Sequence, residues 1–598
     1  MRIAHVLKPN KAGQSPYNLL FIDTETETVD PSEEASPQRL KLWIACHSRK
    51  QKADSPYSEA WYDGTDSVSL KTLVVKLATS KRPLNVFASN IYFDMAVSNL
   101  YRQLIDDGWK LGRHYAKGLV IIMTVAKGSK KINFYNLQNW IDSSIEAIGR
   151  LLDKPKLEID LSTCTMDRLF TYCHRDVEIL RDIMLQYILF LKENDLGNFQ
   201  RTKASQSFTA YRHRFMEYPI YIHNNDAATT VERASYFGGR CEAFFIGDRS
   251  GEKISVYDVT SLYPFVMQEN FFPARLWFHT RRMTLTQLRK LLLTYCVIAE
   301  VELDTHYNIF PIHLEGKTIF PVGRFTTTLC TEALSFALGA GAIRKIVQAA
   351  VYHKEKIFRQ AITELWELRK GFLERENKVF ATLTKFLMNT LYGKFAQYSD
   401  ECLEEEIEGE PRYGREFILD DVTGKRKVVK YLGSKSTTVL EKNKESFNSF
   451  SGISSHITEY GRMYLYKMMS VAGMKNVLYC DTDSLFVTED GKLLLKPYIA
   501  EKELGKLKLE KEGNDLVIRC PKDYTFGGKE VVKGIRKNAV QLGPNTYLQD
   551  LFPGFASDLA RQYEGFYSIR HVRKVLKRIY DKGYVQPDGR VLPLRIGD

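Results

Sequence analysis

Apolar runs of strand length alternate with stretches of helical periodicity along the whole chain, a pattern that predicts mixed α and β structure. Three of the strand-like runs close on an acidic residue: Leu19–Ile22 before Asp23, Ile254–Tyr257 before Asp258, and Val477–Tyr479 before Asp481. Strand ends that present carboxylates to solvent are natural places to assemble a metal site. From about His353 to Gln397 the periodicity is helical and the charge density high, with Leu365-Trp-Glu-Leu-Arg-Lys370 in its middle. Residues Glu401 to Ser449 differ. Glu, Gly, Lys and Arg there surround two short β-like runs, Glu416–Leu419 and Lys427–Leu432, so an inserted hairpin is expected. No repeat of about 20–50 residues is visible. No apolar stretch reaches the roughly 18 residues of a membrane-spanning helix.

Composition narrows the class. At 598 residues the chain is too long for one hydrophobic core, so two or more domains are expected. With 44% hydrophobic and 26% charged residues it has ordinary globular content. Lys and Arg number 85 against 72 Asp and Glu, a net charge of +13 that suits a polyanionic partner. The nine cysteines are scattered, with no C-x-x-C, which excludes a secreted disulfide scaffold and a zinc-finger pattern. The first residues carry no apolar signal core. A cytoplasmic, membrane-independent protein handling nucleic acid is expected, monomeric or paired with one partner chain.

The densest chemistry lies at Tyr479-Cys-Asp-Thr-Asp-Ser484. Alternate residues of a strand or tight hairpin share a face, so Asp481 and Asp483 can point together. Two carboxylates held close repel unless a cation lies between them, and Mg²⁺ or Mn²⁺ is the natural candidate. A bare D-x-D is as readily an acidic turn, but two further segments supply the rest of a phosphoryl-transfer site. Asp258 closes a strand before Ser261-Leu-Tyr-Pro264, giving the third carboxylate of a two-metal centre; Tyr263 beside it could equally be core. Lys385, Asn389 and Tyr392 fall on one face of a helix: a cation for phosphates, an amide, and a ring for a base. An amphipathic helix capped by Gly393 is the plainer alternative.

A second constellation lies in the N-terminal third. Asp23 and Glu25 share one strand face, Asp94 follows the apolar Phe93, and Tyr172 and Asp176 lie one helical turn apart. Four carboxylates and a phenol can hold two metals and position a water for attack on a phosphodiester.

In this order, Asp258-x-x-Ser-Leu-Tyr-Pro264, Lys385-x-x-x-Asn-x-x-Tyr-Gly393 and Tyr479-x-Asp-Thr-Asp-Ser484 resemble motifs A, B and C of the family B DNA polymerases. Asp23-x-Glu25, Asn90-x-x-Phe-Asp94 and Tyr172-x-x-x-Asp176, ahead of them, resemble the Exo motifs of DEDD-type 3′–5′ exonucleases. Tyr236-Phe-Gly-Gly239, Thr458-x-x-Gly-Arg462 and Lys522-Asp-Tyr524 resemble elements of the protein-primed polymerases of phages with linear genomes. One departure is Thr390, where the motif usually has Ser.

The resemblance implies roles. Asp258 and Asp483 would ligate the polymerase metals with Asp481 beside them. Lys385 would contact the triphosphate, and Tyr263, Asn389 and Tyr392 would line the nucleotide pocket, Tyr263 excluding a ribose 2′-OH. Arg369 and Lys378 are further candidates for the triphosphate. Tyr236, Gly238, Gly239, Thr458, Arg462, Lys522 and Tyr524 would meet DNA, the last pair holding the primer end. Asp23, Glu25, Asp94 and Asp176 would bind the nuclease metals, Tyr172 would orient the water, and Lys156, otherwise a surface lysine, would be catalytic. Asn90 and Phe93 would grip a single-stranded 3′ end.

The implied architecture is α/β and multi-domain, an RNase H-like exonuclease fold followed by a right-hand polymerase. The exonuclease would span 1–195, the palm 196–268 and 436–553, the fingers 356–397 and the thumb 554–598. Insertions would fall at 269–355, facing a terminal protein, and at 398–435, serving processivity and strand displacement. The basic stretch Arg570–Arg578 has the spacing of a cationic helix, facing phosphate or only solvent. Two priming modes stay open: a terminal-protein hydroxyl, or an ordinary primer or none. A non-catalytic replication scaffold is the remaining alternative. DNA, dNTPs and two ions per centre are the expected ligands.

Overall fold

Leu19–Ile22 is buried on both faces, which is why it reads as an unbroken apolar run and not as an alternating one. In the computed structural model, which describes residues 3–160, 163–419, 426–561 and 566–597, this run is central to strand β1 (Asn18–Thr28). β1 pairs antiparallel with β2 (Ala35–Arg49) and parallel with β3 (Leu84–Ala88). Helix α1 (Ile91–Val97) follows β3, and β4 (Lys130–Asn136) pairs parallel with it. Helix α2 (Met166–Glu193) buries Leu169, Cys173, Asp176, Val177 and Leu180 at helical spacing against β1 and β2. Its start is fixed by Thr165, whose hydroxyl accepts from the Arg168 amide.

Among the described residues this sheet counts ten strands, because the C-terminal strands 540–543, 546–551 and 566–575 extend it beyond β2. The basic stretch from Arg570 is therefore a strand through Val575 and not a helix. Its β-branched Ile569, Val572 and Val575 favour extended backbone, and residues 570–575 pair with the strand 546–551 while β2 takes residues 566–570. β1 likewise does not stop at Asp23 but runs on to Thr28, so Asp23 and Glu25 stand within a strand.

A second sheet orders β5 (Cys241–Ala243), β7 (Val477–Asp481), β8 (Ser484–Thr488), β6 (Ile254–Val259) and β9 (Leu507–Gly513). Helix α3 (Leu262–Glu269) leaves the end of β6. Between them lie α4 (Arg359–Glu374) and α5 (Lys378–Phe395), then the long α6 (Ser451–Ala472) behind the sheet. The helical expectation for 353–397 changes in two places. His353 belongs to the strand Ile343–Glu355, and the helix breaks at Glu376, whose φ is 58°. Arg369 and Lys378 consequently sit on different helices. Gly393 does not cap α5, which continues to Phe395 because that ring is fully buried.

Residues 272–355 form a mostly antiparallel sheet with strands 5–7 and 220–222, the latter joined in parallel, and residues 595–596 return to it, pairing in parallel with Val322 and Gly323. The expected hairpin insertion is a four-stranded sheet of 398–406, 412–419, 426–433 and 435–445, whose residues 420–425 lie outside the described set. Phe190 of α2 packs edge-on against Phe372 of α4 and Phe380 of α5, so the two halves share one core. No helix among the described residues is long and apolar enough to cross a membrane.

Candidate active sites

At one end of the second sheet's interior strands, Asp258 pairs with Ser484, and Asp481 with Ser484 closes a hairpin whose two turn residues are Thr482 and Asp483. Burial pushes the Asp258 carboxyl up to about 7, and the neighbouring Asp483 and Glu510 push the same way against Lys385 and Lys508. Asp483 is raised as well, first by burial and then by Asp481. Asp481 itself is ion-paired, its Oδ2 lying 2.9 Å from Lys522 Nζ. The two hairpin carboxylates thus do not share one partner: Asp483 is the one beside Asp258 and Lys385. Carboxylates forced to share a desolvated site fit a divalent cation, since Asp258 and Asp483 stay raised in spite of the lysines near them.

The turn is held from behind. The Thr482 amide donates to the Arg240 carbonyl at 2.6 Å, and Thr482 has φ 63°, unfavourable for a β-branched residue. A Cβ on Gly239 would stand 2.7 Å from Thr482 Cγ2, so any larger residue here must push Thr482 aside. Arg462, only 4% exposed, donates through Nη1 to the carbonyls of Phe237 and Gly238 at 2.7 and 2.9 Å. Thr458 is 2% exposed and bonds within its own helix. The expectation that Thr458 and Arg462 meet DNA is corrected accordingly, since both are interior and Arg462 acts on the Tyr236–Gly239 backbone. Gly239 likewise faces Thr482, whereas Gly238 is exposed. Lys522 and Tyr524 support the hairpin's outer side: the Lys522 amide donates to the Tyr479 hydroxyl, and the Tyr524 ring packs 5.6 Å from that of Tyr479.

Replacing Gly239 by alanine is expected to displace the Thr482–Asp483 turn and lower any activity of this centre by about ten- to a hundredfold. The second centre, described below, should be untouched. The double variant Gly239→Ala/Thr482→Gly, which removes the clash, should regain part of the loss in a parallel assay.

Beside the carboxylates lies a cavity of about 560 Å³ lined by Asp258, Ser261, Trp366, Arg369, Lys385 and Lys508, among others. Arg369 Nε is buried there without a hydrogen-bond partner. Lys378, exposed at the start of α5, does not line this cavity. Tyr263 and Tyr392 pack ring to ring at 4.7 Å, and burial raises both hydroxyls. Asn389 lies one turn beyond Lys385 on α5. Tyr236 adds a third ring whose charge would be felt by Tyr392.

The second centre stands on β1, α1 and α2. Asp23 and Glu25 face Asp94, which is 2% exposed and accepts from the Thr24 hydroxyl at 2.7 Å. Asp176, on the buried face of α2, is ion-paired through Oδ2 to Lys156, while its Oδ1 is buried without a partner. Lys156 Nζ also lies over the Tyr172 ring, 4.6 Å from its centroid. Burial pushes Glu25 up to about 8, with Asp176 adding to it, and Asp94 to about 7. Asp23 is raised well above the usual range by burial and then by Asp94, Glu25 and Asp176. Asp176 is also raised by burial, though Lys156 opposes it. One lysine against four carboxylates leaves a charge deficit that divalent ions would fill.

These residues floor a cleft of about 1020 Å³ whose walls include Asn90 and Phe93. Other walls were not legible: Arg415 and Lys430 from the hairpin insertion, and Arg536, Phe555 and Tyr567 from the C-terminal region. No local spacing could have signalled them, because each arrives through tertiary contact.

Metal-free protein should gain stability as pH falls from about 8 toward 6, through these raised carboxyls. An acid whose folded pKa exceeds its unfolded value binds protons more readily when folded, so its contribution falls as pH rises. Mg²⁺ should therefore raise the melting temperature more at pH 8 than at pH 6. A Mg²⁺ effect that is larger at pH 6 would contradict the charge deficit.

The sequence profile of DNA polymerase type B, organellar and viral, matches residues 115–472. A probable DNA polymerase of Neurospora intermedia is 24% identical over 379 residues, 60% of this chain and 37% of its own length. The DNA-directed DNA polymerase of Enterobacteria phage PRD1 is 26% identical over 320 residues, 51% of this chain and 52% of its own. The matches span about a third to a half of these curated relatives. Among solved structures, phi29 DNA polymerase complexed with primer-template DNA superposes with TM-score 0.61 at 15% identity, covering 86% of this chain and 89% of its own. Its ternary complex with incoming nucleotide covers 94% and 92% with TM-score 0.60. The fold is thus the α/β multi-domain architecture expected, shared with phi29 DNA polymerase over most of its length. With its three motifs converging at one end of the second sheet, the chain belongs to the type B DNA polymerases of organellar and viral kind.

Proposed function

We propose that this chain is a template-directed DNA polymerase that also removes 3′ nucleotides at a separate centre. The observation that carries the reading is the placing of Asp258 and Asp483 side by side, with Lys385 in the adjoining cavity and the packed Tyr263–Tyr392 pair close to Asp483. Lys385, Arg369 and Lys508 supply cationic charge for a triphosphate, Lys385 and Arg369 from two facing helices. Tyr263 and Tyr392, their rings tilted 46° to each other, give an aromatic surface for base and sugar, and Tyr263 would exclude a ribose 2′-OH. Bound divalent ions, Mg²⁺ or Mn²⁺, would activate a 3′ oxygen and neutralise the leaving pyrophosphate. Lys522 holds Asp481 aside and anchors the turn. Gly238, which is exposed, and Tyr236, which is partly buried beside it, would meet a template strand.

At the second centre Asp23, Glu25, Asp94 and Asp176 form the metal-holding set, and Lys156 keeps Tyr172 and Asp176 in place. Phe93 and Asn90, with Arg415, Lys430 and Arg536 above them, suit a single strand held by stacking and phosphate contact. For initiation, the reading is protein priming, in which the nucleotide is transferred to the hydroxyl of a terminal protein. It is supported by the substantial segments at 272–355 and 398–445 that interrupt the second sheet's connections.

The test is incorporation of dNTPs on a primed template of known sequence with Mg²⁺. Product whose sequence follows the template supports the reading, and template-independent addition or none on any primer, protein included, overturns it. Dependence of unprimed starts on a second, hydroxyl-bearing protein decides the mode of initiation.

A further inference from the structure

Between Tyr172 and His174 on α2 is a residue that the two-metal nuclease reading does not use. Cys173 is fully buried, and its Sγ lies 3.6 Å from both the main-chain oxygen and Oδ2 of Asp23. Ligand atoms of Asp23, Glu25 and Cys173 all fall within 4.8 Å of one another. Zn–S and Zn–O bonds of about 2.3 and 2.0 Å at a tetrahedral angle put sulfur and oxygen about 3.5 Å apart. The observed separation to Asp23 Oδ2 therefore already matches a shared ion. A second, independent sign that the centre awaits a ligand is Asp176 Oδ1, which is buried and has no partner. The ordinary alternative is a packing thiol that donates weakly to the Asp23 carbonyl.

We infer that Cys173 is a sulfur ligand for a thiophilic divalent ion, Zn²⁺ or Cd²⁺, held together with Asp23 and Glu25 at the exonuclease centre. The inference rests on the metal-dependent nuclease reading of that centre and adds a selectivity to it. Hard ions use the carboxylate oxygens alone, whereas a borderline-soft ion gains the sulfur as well. On binding, the S–H bond breaks, its proton passes to solvent, and a sulfur lone pair forms the S–metal bond, with no change of oxidation state. Zn²⁺ then competes with Mg²⁺ for Asp23 and Glu25 and holds the centre in a form set by the protein's own thiol.

The experiment is a Cd²⁺ titration of the metal-free full chain, reading the ultraviolet thiolate-to-Cd²⁺ charge-transfer band, with unmodified protein, Cys173→Ser and Glu25→Gln. The unmodified chain should show a saturable band that Cys173→Ser lacks. In Glu25→Gln, which keeps the thiol, the band should need at least about tenfold more Cd²⁺. A band of equal size and affinity in unmodified protein and Cys173→Ser overturns the inference. Should Cys173→Ser fail to fold, as read from its far-ultraviolet circular dichroism, an unshifted band in Glu25→Gln overturns it equally. Mg²⁺-dependent shortening of single-stranded DNA without a Cys173-dependent band would sink this inference and leave the nuclease reading standing. The band without any shortening would do the reverse.

Discussion

Asp483→Ala is expected to lower DNA synthesis at least about a thousandfold, roughly 4 kcal/mol of transition-state stabilisation, while shortening of single-stranded DNA persists. The expectation follows from where Asp483 stands. It occupies a two-residue turn tied to Arg240 through Thr482, beside Asp258, and removing it leaves Asp258 facing Lys385 without its partner carboxylate. Asp258→Ala should behave alike. Neither change should cost stability in metal-free protein, because each removes a carboxylate that burial disfavours. Unchanged or higher melting temperatures, measured in EDTA, therefore separate loss of chemistry from loss of fold. Synthesis within about tenfold of normal in both variants would mean the metals are held elsewhere.

The mirror result is expected at the N-terminal centre. Asp23→Ala should abolish shortening of single-stranded DNA by a comparable factor and leave extension intact, since the residue lies on β1 in a different sheet from Asp258. Asp176→Ala should act likewise, but it also strips Lys156 of its ion-pair partner, so some loss of stability is expected with it. Asp23→Ala is thus the cleaner variant. Gel assays of a labelled single strand with Mg²⁺ and no dNTPs measure both. If Asp23→Ala also stopped extension in a folded protein, the two centres would not be separate.

Much of this was legible because the chemistry is local. Asp258, Asp481 and Asp483 mark strand ends in sequence as they do in space, and Lys385, Asn389 and Tyr392 share a helical face as their spacing requires. Asp23 and Glu25 share a strand face, and Tyr172 and Asp176 a helical turn, for the same reason. What escaped depends on tertiary partners. The stretch from Arg570 fits a helix until the strand 546–551 offers its edge as a pairing partner. Gly393 looks like a cap until Phe395 finds a place in the core. Thr458 and Arg462 share a motif with exposed-looking neighbours, yet Arg462 points inward because two backbone carbonyls at Phe237 and Gly238 need a donor. That Asp481 is taken up by Lys522, forty-one residues on, could not be read from the hairpin alone. Nor could the cations that Arg415, Lys430 and Arg536 bring to the nuclease cleft.

The most direct test of two metal centres on one chain is primer extension on a 5′-overhang template with Mg²⁺, comparing unmodified protein with Asp483→Ala, with and without dNTPs. The expected result is full-length product from the unmodified chain only, together with primer shortening by both when dNTPs are left out. Extension by Asp483→Ala, or loss of shortening along with extension in a variant that still folds, would contradict the account.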